Sequence, residues 1–290
     1  MSQLYACTPE IKNSLFMGIS AITLIPLLLT LSDRTFLYST DALTSPCDNG
    51  VVTASNKALP VILIHGYSEG SWVFSDWQPL LKRDGIPFCT VTFHRSDDPC
   101  GRAKDHAKEL GDVVAQVKNM TGQKQVNMVG YSKGGLDARV YLAESGTHDV
   151  ANLIMIGTPN AGAPLATVDD SCKPAVFDFI DDAAAMKSPP NPHTRYYTIA
   201  GDWKPSLSSN CPQQFSQNFL YRVGKPTDFG YENTGFYQLN GTKVPNDGGI
   251  PVYSVKSMPN STNIGLTPDC HSNLLSETEY GIAKEKVLIH

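Results

Sequence analysis

The feature that most constrains this chain is an apolar run that leads into a glycine, a serine and a second glycine. The run is residues 126–129, and Gly130, Ser132 and Gly134 follow it at intervals of two. A helix-compatible segment, residues 136–143, comes next. This order predicts a buried strand, a sharp turn and a helix, which is the setting of the G-x-S-x-G turn. Small neighbours allow a tight turn that exposes the Ser132 hydroxyl, so Ser132 is the candidate nucleophile.

Similar apolar runs recur along the chain and predict further strands. The predicted strands are residues 59–64, 86–93, 125–129, 151–156, 196–200 and 251–255. Fully apolar runs rich in β-branched residues are typical of strands that are buried on both faces of a parallel sheet. Segments with helical spacing, such as 71–82 and 101–119, alternate with them. We therefore predict an α/β fold with a mostly parallel central sheet and helices on both faces.

A serine hydroxyl is a weak nucleophile at neutral pH, so Ser132 needs a base and a carboxylate that orients the base. Where the serine occupies this kind of turn, the acid and then the histidine follow it in the chain. Apart from the terminal His290, His271 is the only one of the seven histidines that follows the last predicted strand. We therefore expect His271 to be the base.

Two aspartates are candidates for the acid. Asp247 lies in a glycine-rich turn, 24 residues before His271, and it is the one that we favour. Asp202 ends the preceding predicted strand and is the alternative. An Asp-Gly pair is also common in turns that have no catalytic role. The order and spacing relative to Ser132 and His271 are what favour Asp247.

Hydrogen-bond donors for the developing oxyanion complete the predicted site. One donor is the backbone N–H of the residue after the nucleophile, which is Lys133 here. The other comes from the loop after an earlier strand, where His65-Gly66-Tyr67 follows residues 59–64. We predict the N–H of Tyr67 as this second donor and expect His65 to shape the loop.

The regular pattern ends between about residues 165 and 244, where only one helix, near 174–187, is predicted. Residues 203–237 contain eight aromatic residues among glycine, proline, serine and asparagine. A long irregular segment within a compact domain is usually functional. We interpret it as a cap insertion whose aromatic residues line an apolar acyl pocket. The alternative is that they form a small core of their own beneath the insertion.

The amino-terminal part of the chain predicts export. Residues 15–31 are apolar and contain no charged residue, so we expect residues 1–34 to be a signal peptide or a membrane anchor. Residues 35–57 are polar and are interpreted as a linker, which leaves 58–290 as one α/β domain with the cap insertion. Six cysteines follow residue 34, which suggests up to three disulfides in an exported chain. Our best single pairing is Cys172 with Cys211, and Cys89 is alternatively a buried free residue.

Composition excludes two broad classes of protein. Hydrophobic residues make up 41% of the chain and charged residues 18%, so the chain can form a sizeable core and is not disordered. The net charge is −5 and there is no basic cluster, so nucleic acid is not an expected partner. No feature of the sequence fixes an oligomeric state.

Four segments carry short motifs: residues 61–67 end in H-G-Y, 122–135 contain G-Y-S-K-G-G, 156–164 begin with I-G-T-P-N, and 246–252 begin with N-D-G-G. Together they resemble secreted bacterial triacylglycerol lipases and esterases. The resemblance is good over about 58–165, moderate over 244–276 and absent in the cap. It implies an α/β-hydrolase fold, an ester or lipid substrate met at a lipid–water interface, and Asp247 and His271 as the partners of Ser132.

The chain departs from this family at two positions. The residue after the nucleophile is usually His, Gln or Met in the family, and Lys133 here brings a charge that could favour anionic or polar substrates. Some members bind calcium through an aspartate two residues after the histidine, where this chain has Asn273. We therefore expect no calcium site, and the chemistry requires no cofactor.

Three functions are compatible with the sequence. The leading one is hydrolysis of carboxylic esters, as a lipase or esterase, through an acyl-enzyme on Ser132. The second is acyl transfer to another alcohol through the same triad. The third is a catalytically silent α/β-hydrolase fold that serves as an anchored binding module.

Overall fold

The computed structural model describes residues 47–49, 58–96, 99–163, 172–179, 184–203, 226–227, 230–231 and 245–288. All of these belong to the unit Leu43–His290. The predicted signal peptide or anchor, most of the linker and much of the cap insertion lie outside the described residues. In the part of the chain that the structure describes, every helix is too short or too polar to cross a membrane.

Strands form the centre of the fold. In chain order they are β1 (Cys47–Asn49), β2 (Val61–Ile64), β3 (Phe88–Val91), β4 (Val126–Tyr131), β5 (Val150–Ile156), β6 (Arg195–Gly201), β7 (Pro226–Thr227), β8 (Gly230–Tyr231) and β9 (Ser261–Thr267). Seven of them form one sheet in the order β1-β3-β2-β4-β5-β6-β9, and β7 and β8 pair separately. Within the large sheet β1 is antiparallel to β3, and the other six strands are parallel.

Helices follow most of the strands. In chain order they are α1 (Trp77–Arg83), α2 (Ala103–Thr121), α3 (Lys133–Ser145), α4 (Lys173–Val176), α5 (Ala184–Lys187), α6 (Val252–Lys256) and α7 (Glu277–Ala283). Short 3₁₀ turns lie at Ser71–Phe74 and His271–Asn273, and a π turn at Lys284–Leu288. Helix α7 begins with a capping box, in which Ser276 and Glu279 satisfy each other's backbone N–H groups.

The core lies on both faces of the sheet, which explains why the strands are continuously apolar. Alternate residues of a strand point to opposite faces, so Ile62 and Ile64 pack beneath α2 and α3. Val61 and Leu63 pack on the other face, in the same cluster as Trp77 of α1. Full burial of each such side chain contributes about 1.5–3 kcal/mol relative to exposure. The predicted α/β class with a mostly parallel sheet is confirmed.

The first five predicted strands are confirmed, and the sixth is wrong. Residues 251–255 fall in helix α6, where Val252 and Val255 are buried and Tyr253 and Lys256 are exposed. This spacing of three is helical, and a five-residue window was too short to distinguish it from a buried strand. The last strand is β9, whose residues are largely polar and half exposed because it forms one edge of the sheet.

The disulfides differ from the predicted pairing. Cys172 is bonded to Cys100, so the predicted Cys172–Cys211 bond is wrong. Cys89 is bonded to Cys47 and is therefore not a free residue. Cys270 is disulfide-bonded as well. The Cys100–Cys172 bond ties the segment before α4 to the start of α2, which no sequence spacing indicates. The single predicted helix near 174–187 is replaced by the short helices α4 and α5.

Candidate active site

The turn between β4 and α3 holds Ser132 in an unusual backbone conformation. Its φ of 51° and ψ of −122° are sparsely populated by residues with a side chain, which typically costs about 1–3 kcal/mol. Glycine is required on either side because a Cβ on Gly130 would lie 2.5 Å from the Cα of Gly135. A Cβ on Gly134 would lie 2.5 Å from the His65 carbonyl oxygen. The tight turn predicted for this segment is present.

The structure brings Ser132, His271 and Asp247 together at the carboxyl ends of the strands. The Ser132 Oγ lies 3.0 Å from His271 Nε2, and the Asp247 Oδ2 lies 2.7 Å from His271 Nδ1. The other oxygen of Asp247 accepts hydrogen bonds from the N–H groups of Gly249, at 2.7 Å, and Ile250, at 2.5 Å. With the imidazole proton assigned to Nδ1, His271 donates to Asp247 and its Nε2 is free to accept the Ser132 proton.

Asp202, the alternative acid, occupies a different position. It follows the end of β6, and its backbone N–H donates to the Thr267 carbonyl, 2.8 Å away. The carboxylate within hydrogen-bond distance of the His271 imidazole is that of Asp247. The geometry thus favours Asp247 over Asp202.

Tyr131 holds His271 next to the nucleophile. Its hydroxyl donates to the His271 carbonyl oxygen at 2.7 Å, and its ring stacks on the imidazole with a centroid distance of 5.2 Å. The His271 N–H donates to the Asp247 carbonyl, also at 2.7 Å. Burial raises the pKa of Tyr131 well above its ordinary value, so the phenol remains a donor. Sequence reasoning missed this role, since the residue before the serine carried no signal beyond its place in the strand.

The pKa of His271 is raised from its ordinary value. Burial by itself would lower it, but the charge and the hydrogen bond of Asp247 and the charge of Glu69 together outweigh the burial. A raised pKa means that the imidazolium is stabilised, as a base that receives a proton requires. The buried acid therefore both orients and strengthens the base.

The loop after β2 packs directly on the nucleophile. A Cβ on Gly66 would lie 3.0 Å from the Ser132 Cβ, so only glycine allows this approach. Tyr67 follows, and its hydroxyl accepts a hydrogen bond from the Cys172 N–H at 3.0 Å while its ring contacts Phe179 edge-on. The described part of the insertion thus braces the loop that carries the predicted Tyr67 donor. The His65 Nδ1 lies 3.0 Å from the Gly66 carbonyl, as expected for a residue that shapes the loop.

The Lys133 side chain turns away from Ser132 into the core. Its Nζ lies 2.6 Å from Asp137 Oδ1 and 3.2 Å from His106 Nδ1, and Lys133 and Asp137 are each only 1% exposed. The other Asp137 oxygen lies 2.8 Å from His106 Nδ1. Burial alone would raise the pKa of Asp137, but Lys133 and His106 hold it below its ordinary value. The expectation that the Lys133 charge influences the substrate is therefore wrong, whereas its backbone N–H remains at the start of α3.

A second carboxylate, that of Glu69, lies beside the site. Its Oε2 accepts a hydrogen bond from the Gly66 N–H at 3.2 Å. Burial raises the pKa of Glu69, while the neighbouring His271 and His65 and the Gly66 N–H act in the opposite direction. Sequence reasoning missed this residue because nothing in the spacing of H-G-Y-S-E-G indicates which way the fifth side chain points.

The described residues contain no group of three or more histidine, cysteine or acidic side chains arranged to hold a metal ion. Asn273 lies in the 3₁₀ turn that begins with His271.

Comparisons with known proteins agree on the fold. A family model for the alpha/beta hydrolase fold matches residues 60–191, a range that includes Ser132 and ends before Asp247 and His271. A lipase from Bacillus licheniformis, solved in its mature form, superposes with a TM-score of 0.63 at 19% identity, over 81% of this chain and 94% of that one. With the parallel sheet and the serine turn, these matches show an α/β-hydrolase fold.

The chain is also similar in sequence to two triacylglycerol lipases. It is 33% identical over 132 residues to one from Burkholderia plantarii, and the aligned region covers 42% of this chain and 35% of that protein. It is 35% identical over 117 residues to one from Pseudarthrobacter phenanthrenivorans, and the aligned region covers 37% of this chain and 35% of that protein. The matched part is thus about a third of the length of either relative.

Proposed function

We propose that this chain, which has an α/β-hydrolase fold and is similar to lipases, is a serine hydrolase of carboxylic esters. The observation that carries the proposal is the continuous hydrogen-bonded row from Ser132 through His271 to Asp247. A buried carboxylate, an imidazole and a hydroxyl in this arrangement are what nucleophilic attack by serine requires.

In the first half of the reaction, the Ser132 oxygen attacks the ester carbonyl carbon as its proton passes to His271 Nε2. The carbonyl π electrons move to the oxygen, which becomes an oxyanion. When the tetrahedral intermediate collapses, the bond to the alcohol oxygen breaks and the proton on Nε2 passes to that oxygen. The alcohol leaves, and the acyl group remains bonded to Ser132.

In the second half, water replaces the alcohol. Water gives a proton to His271 Nε2 as its oxygen bonds to the acyl carbon. When the second tetrahedral intermediate collapses, the bond between the acyl carbon and the Ser132 oxygen breaks, His271 Nε2 gives its proton to that oxygen, and the carboxylic acid leaves. Asp247 remains ionised throughout and stabilises the imidazolium each time it forms. We assign the oxyanion donors to the backbone N–H groups of Tyr67 and Lys133, since Gly66 packs on Ser132 and Lys133 begins the helix that follows it.

We further propose that the substrates are esters with an apolar acyl group, including lipids at a lipid–water interface. The proteins with the sequence similarity described above are triacylglycerol lipases, and the cap predicted over residues 165–244 is rich in aromatic residues. We also propose that the protein is exported. Two disulfides that close separate loops, Cys47–Cys89 and Cys100–Cys172, fit an oxidising compartment.

The test is covalent labelling together with turnover. A fluorophosphonate probe is expected to label the wild-type protein at Ser132, and p-nitrophenyl butyrate is expected to be hydrolysed. Ser132→Ala should lose both, and the probe adduct should map to Ser132 by peptide mass spectrometry. Folded wild-type protein that reacts with neither reagent would leave the binding-module alternative as the better interpretation.

A second measurement separates hydrolysis from acyl transfer. Butyrate esters are incubated in buffer with and without an added primary alcohol, and both acid and new ester are quantified. Release of acid as the main product in both conditions supports hydrolysis. Predominant formation of the new ester at low alcohol concentration would instead identify an acyltransferase. A series of acyl chain lengths in the same assay distinguishes an esterase from a lipase.

A further inference from the structure

We propose that Glu69 is a positioning residue, which fixes one of the oxyanion donors by accepting a hydrogen bond from the Gly66 N–H. This role rests on the proposed ester hydrolysis and on Tyr67 as one of its two oxyanion donors. Glu69 acts through the backbone and not through the substrate. The group that it holds in place is the peptide between Gly66 and Tyr67, whose N–H is the donor.

Gly66 is the point at which the loop after β2 meets both Ser132 and Glu69. A Cβ built on Gly66 would lie 3.0 Å from the Ser132 Cβ and 2.6 Å from the Glu69 Oε2. The serine and the carboxylate therefore lie against the same side of Gly66. The Glu69 Oε2 also accepts a hydrogen bond from the Gly66 N–H at 3.2 Å. One carboxylate thus holds Gly66 in its position next to the nucleophile.

The peptide group that follows Gly66 is planar, so its carbonyl and its N–H are oriented together. The carbonyl is that of Gly66 and lies 3.0 Å from His65 Nδ1, which donates to it when the imidazole proton is assigned to Nδ1. The N–H is that of Tyr67, and in a trans peptide it points away from the carbonyl. His65 therefore sets the tilt of this peptide group, and Glu69 sets the place of the Gly66 Cα from which it extends.

The turn that Glu69 closes contains a backbone conformation that needs support. Ser68 precedes Glu69 and has a φ of 57°, in the left-handed region that is unfavourable for a residue with a side chain. Such a conformation persists only where surrounding contacts hold it. The bond from the Gly66 N–H to the side chain three residues later spans Ser68, and its carboxylate acceptor makes it stronger than a bond between neutral groups. Without this bond, we expect the turn to relax and the Tyr67 N–H to move.

The role requires an oxygen acceptor and not a negative charge. In the transition state the charge of Glu69 attracts the imidazolium of His271 and repels the oxyanion, so the two effects oppose each other. A neutral acceptor in its place should therefore change kcat by no more than about fivefold, the range of weak interactions between partly exposed charges. Loss of the acceptor displaces the donor, and a displacement of about 1 Å can lower the rate about a hundredfold.

The test compares Glu69→Gln with Glu69→Met. Both new side chains are neutral and of similar length, but only glutamine has an oxygen that accepts strongly from an N–H group. The kcat and KM for p-nitrophenyl butyrate are measured on the alkaline side of the pH profile, where His271 is neutral in every variant. Glu69→Met should lower kcat about ten- to a hundredfold with KM nearly unchanged, whereas Glu69→Gln should stay within about fivefold of wild type.

Inhibition by a trifluoromethyl ketone with a butyl chain measures whether the loss arises at the oxyanion. The Ser132 oxygen bonds to the ketone carbon, its proton passes to His271 Nε2, and the carbonyl oxygen becomes an oxyanion that accepts from the same two donors. The Ki should therefore rise in Glu69→Met by about the factor by which kcat/KM falls. It should stay near the wild-type value in Glu69→Gln.

Glu279 in α7 offers a matched control. Its Oε2 accepts from the N–H of the residue three positions earlier, Ser276, at the same distance of 3.2 Å. Glu279→Met should lower the Tm and leave kcat and the Ki at their wild-type values. Circular dichroism checks the fold of each variant, and Glu69→Ala takes the place of Glu69→Met if the latter does not fold.

Three results would overturn this role. If Glu69→Met keeps the wild-type kcat and Ki, the bond to Gly66 does not position the donor. If Glu69→Gln loses as much activity as Glu69→Met, the charge matters and the acceptor does not. If kcat falls in Glu69→Met while the Ki is unchanged, Glu69 acts away from the oxyanion. In all three cases the proposed ester hydrolysis stands. Folded wild type that hydrolyses no ester and does not react with the fluorophosphonate refutes the proposed function itself.

Discussion

The buried pair behind the nucleophile turn gives a prediction about stability that can be worked out from its contacts. Lys133 and Asp137 are one helical turn apart on α3, are almost completely buried, and are joined at 2.6 Å. Asp137→Ala leaves the lysine charge in the core without its carboxylate. Removal of one partner of a buried ion pair typically costs about 3–5 kcal/mol. For a domain of roughly this size, that lowers the Tm by about 10 °C.

A double variant provides the matched comparison. Lys133→Met with Asp137→Val removes both charges and adds only about one methyl group of side-chain volume, and replacement of a buried ion pair by apolar residues of similar volume is often close to neutral for stability. His106 limits the recovery, since its Nδ1 lies 2.8 Å from Asp137 and would lose that partner. A buried polar group without a partner costs about 1–3 kcal/mol, so we expect the double variant to lie that far below wild type.

Thermal and urea unfolding, followed by circular dichroism, measure both variants against wild type. The expected order of stability is wild type, then the double variant, then Asp137→Ala. If Asp137→Ala is as stable as wild type, or if the double variant is less stable than Asp137→Ala, then the pair does not act as a mutually compensating unit and the reasoning fails.

Three further predictions concern the site itself. Activity requires neutral His271, whose pKa is raised, so kcat/KM for a neutral ester should rise with pH around a midpoint above the ordinary imidazole pKa of about 6.5. Asp247→Asn should move that midpoint to lower pH and lower kcat by about 10⁴. A midpoint that Asp247→Asn leaves unchanged would contradict this. Tyr131→Phe removes the donor to the His271 carbonyl and should destabilise the fold by about 1–3 kcal/mol in urea titrations and also reduce kcat, with KM nearly unchanged. Gly134→Ala should prevent soluble expression or lower the Tm sharply, because its Cβ would meet the His65 carbonyl, whereas Gly281→Ala, with open space around it, should be tolerated.

Sequence reasoning predicts the strands whose residues are apolar because both of their faces are buried. Residues 61–64 are apolar without interruption because both faces of β2 are covered, so the strand is evident from the sequence. At the edge of the sheet this cause is absent, and β9 therefore appears polar and was missed. Residues 251–255 show the reverse error, since a buried single-turn helix has the composition of a strand.

The same distinction applies to the site. Ser132, Asp247 and His271 were predicted because their order along the chain is restricted by the fold, and the structure places them within hydrogen-bond distance. The direction of the Lys133 side chain was not restricted in this way. A lysine after the serine can point to the substrate or to the core, and only the structure shows that it pairs with Asp137 in the core. Glu69 acquires its position only through the fold of the loop.

Tyr131 has a mechanical consequence for the two reacting residues. Ser132 follows Tyr131 directly in the chain, and the Tyr131 hydroxyl donates a hydrogen bond to the His271 carbonyl. The serine and the histidine are nevertheless 139 positions apart in the sequence. The two reacting residues are therefore linked through a single residue, Tyr131. We therefore expect displacements of β4 to move His271 together with Ser132. The distance between Ser132 and His271 should fluctuate less than the distance of either residue from the edge of the sheet. Substitutions at that edge should therefore lower the stability of the fold before they disturb the geometry of proton transfer.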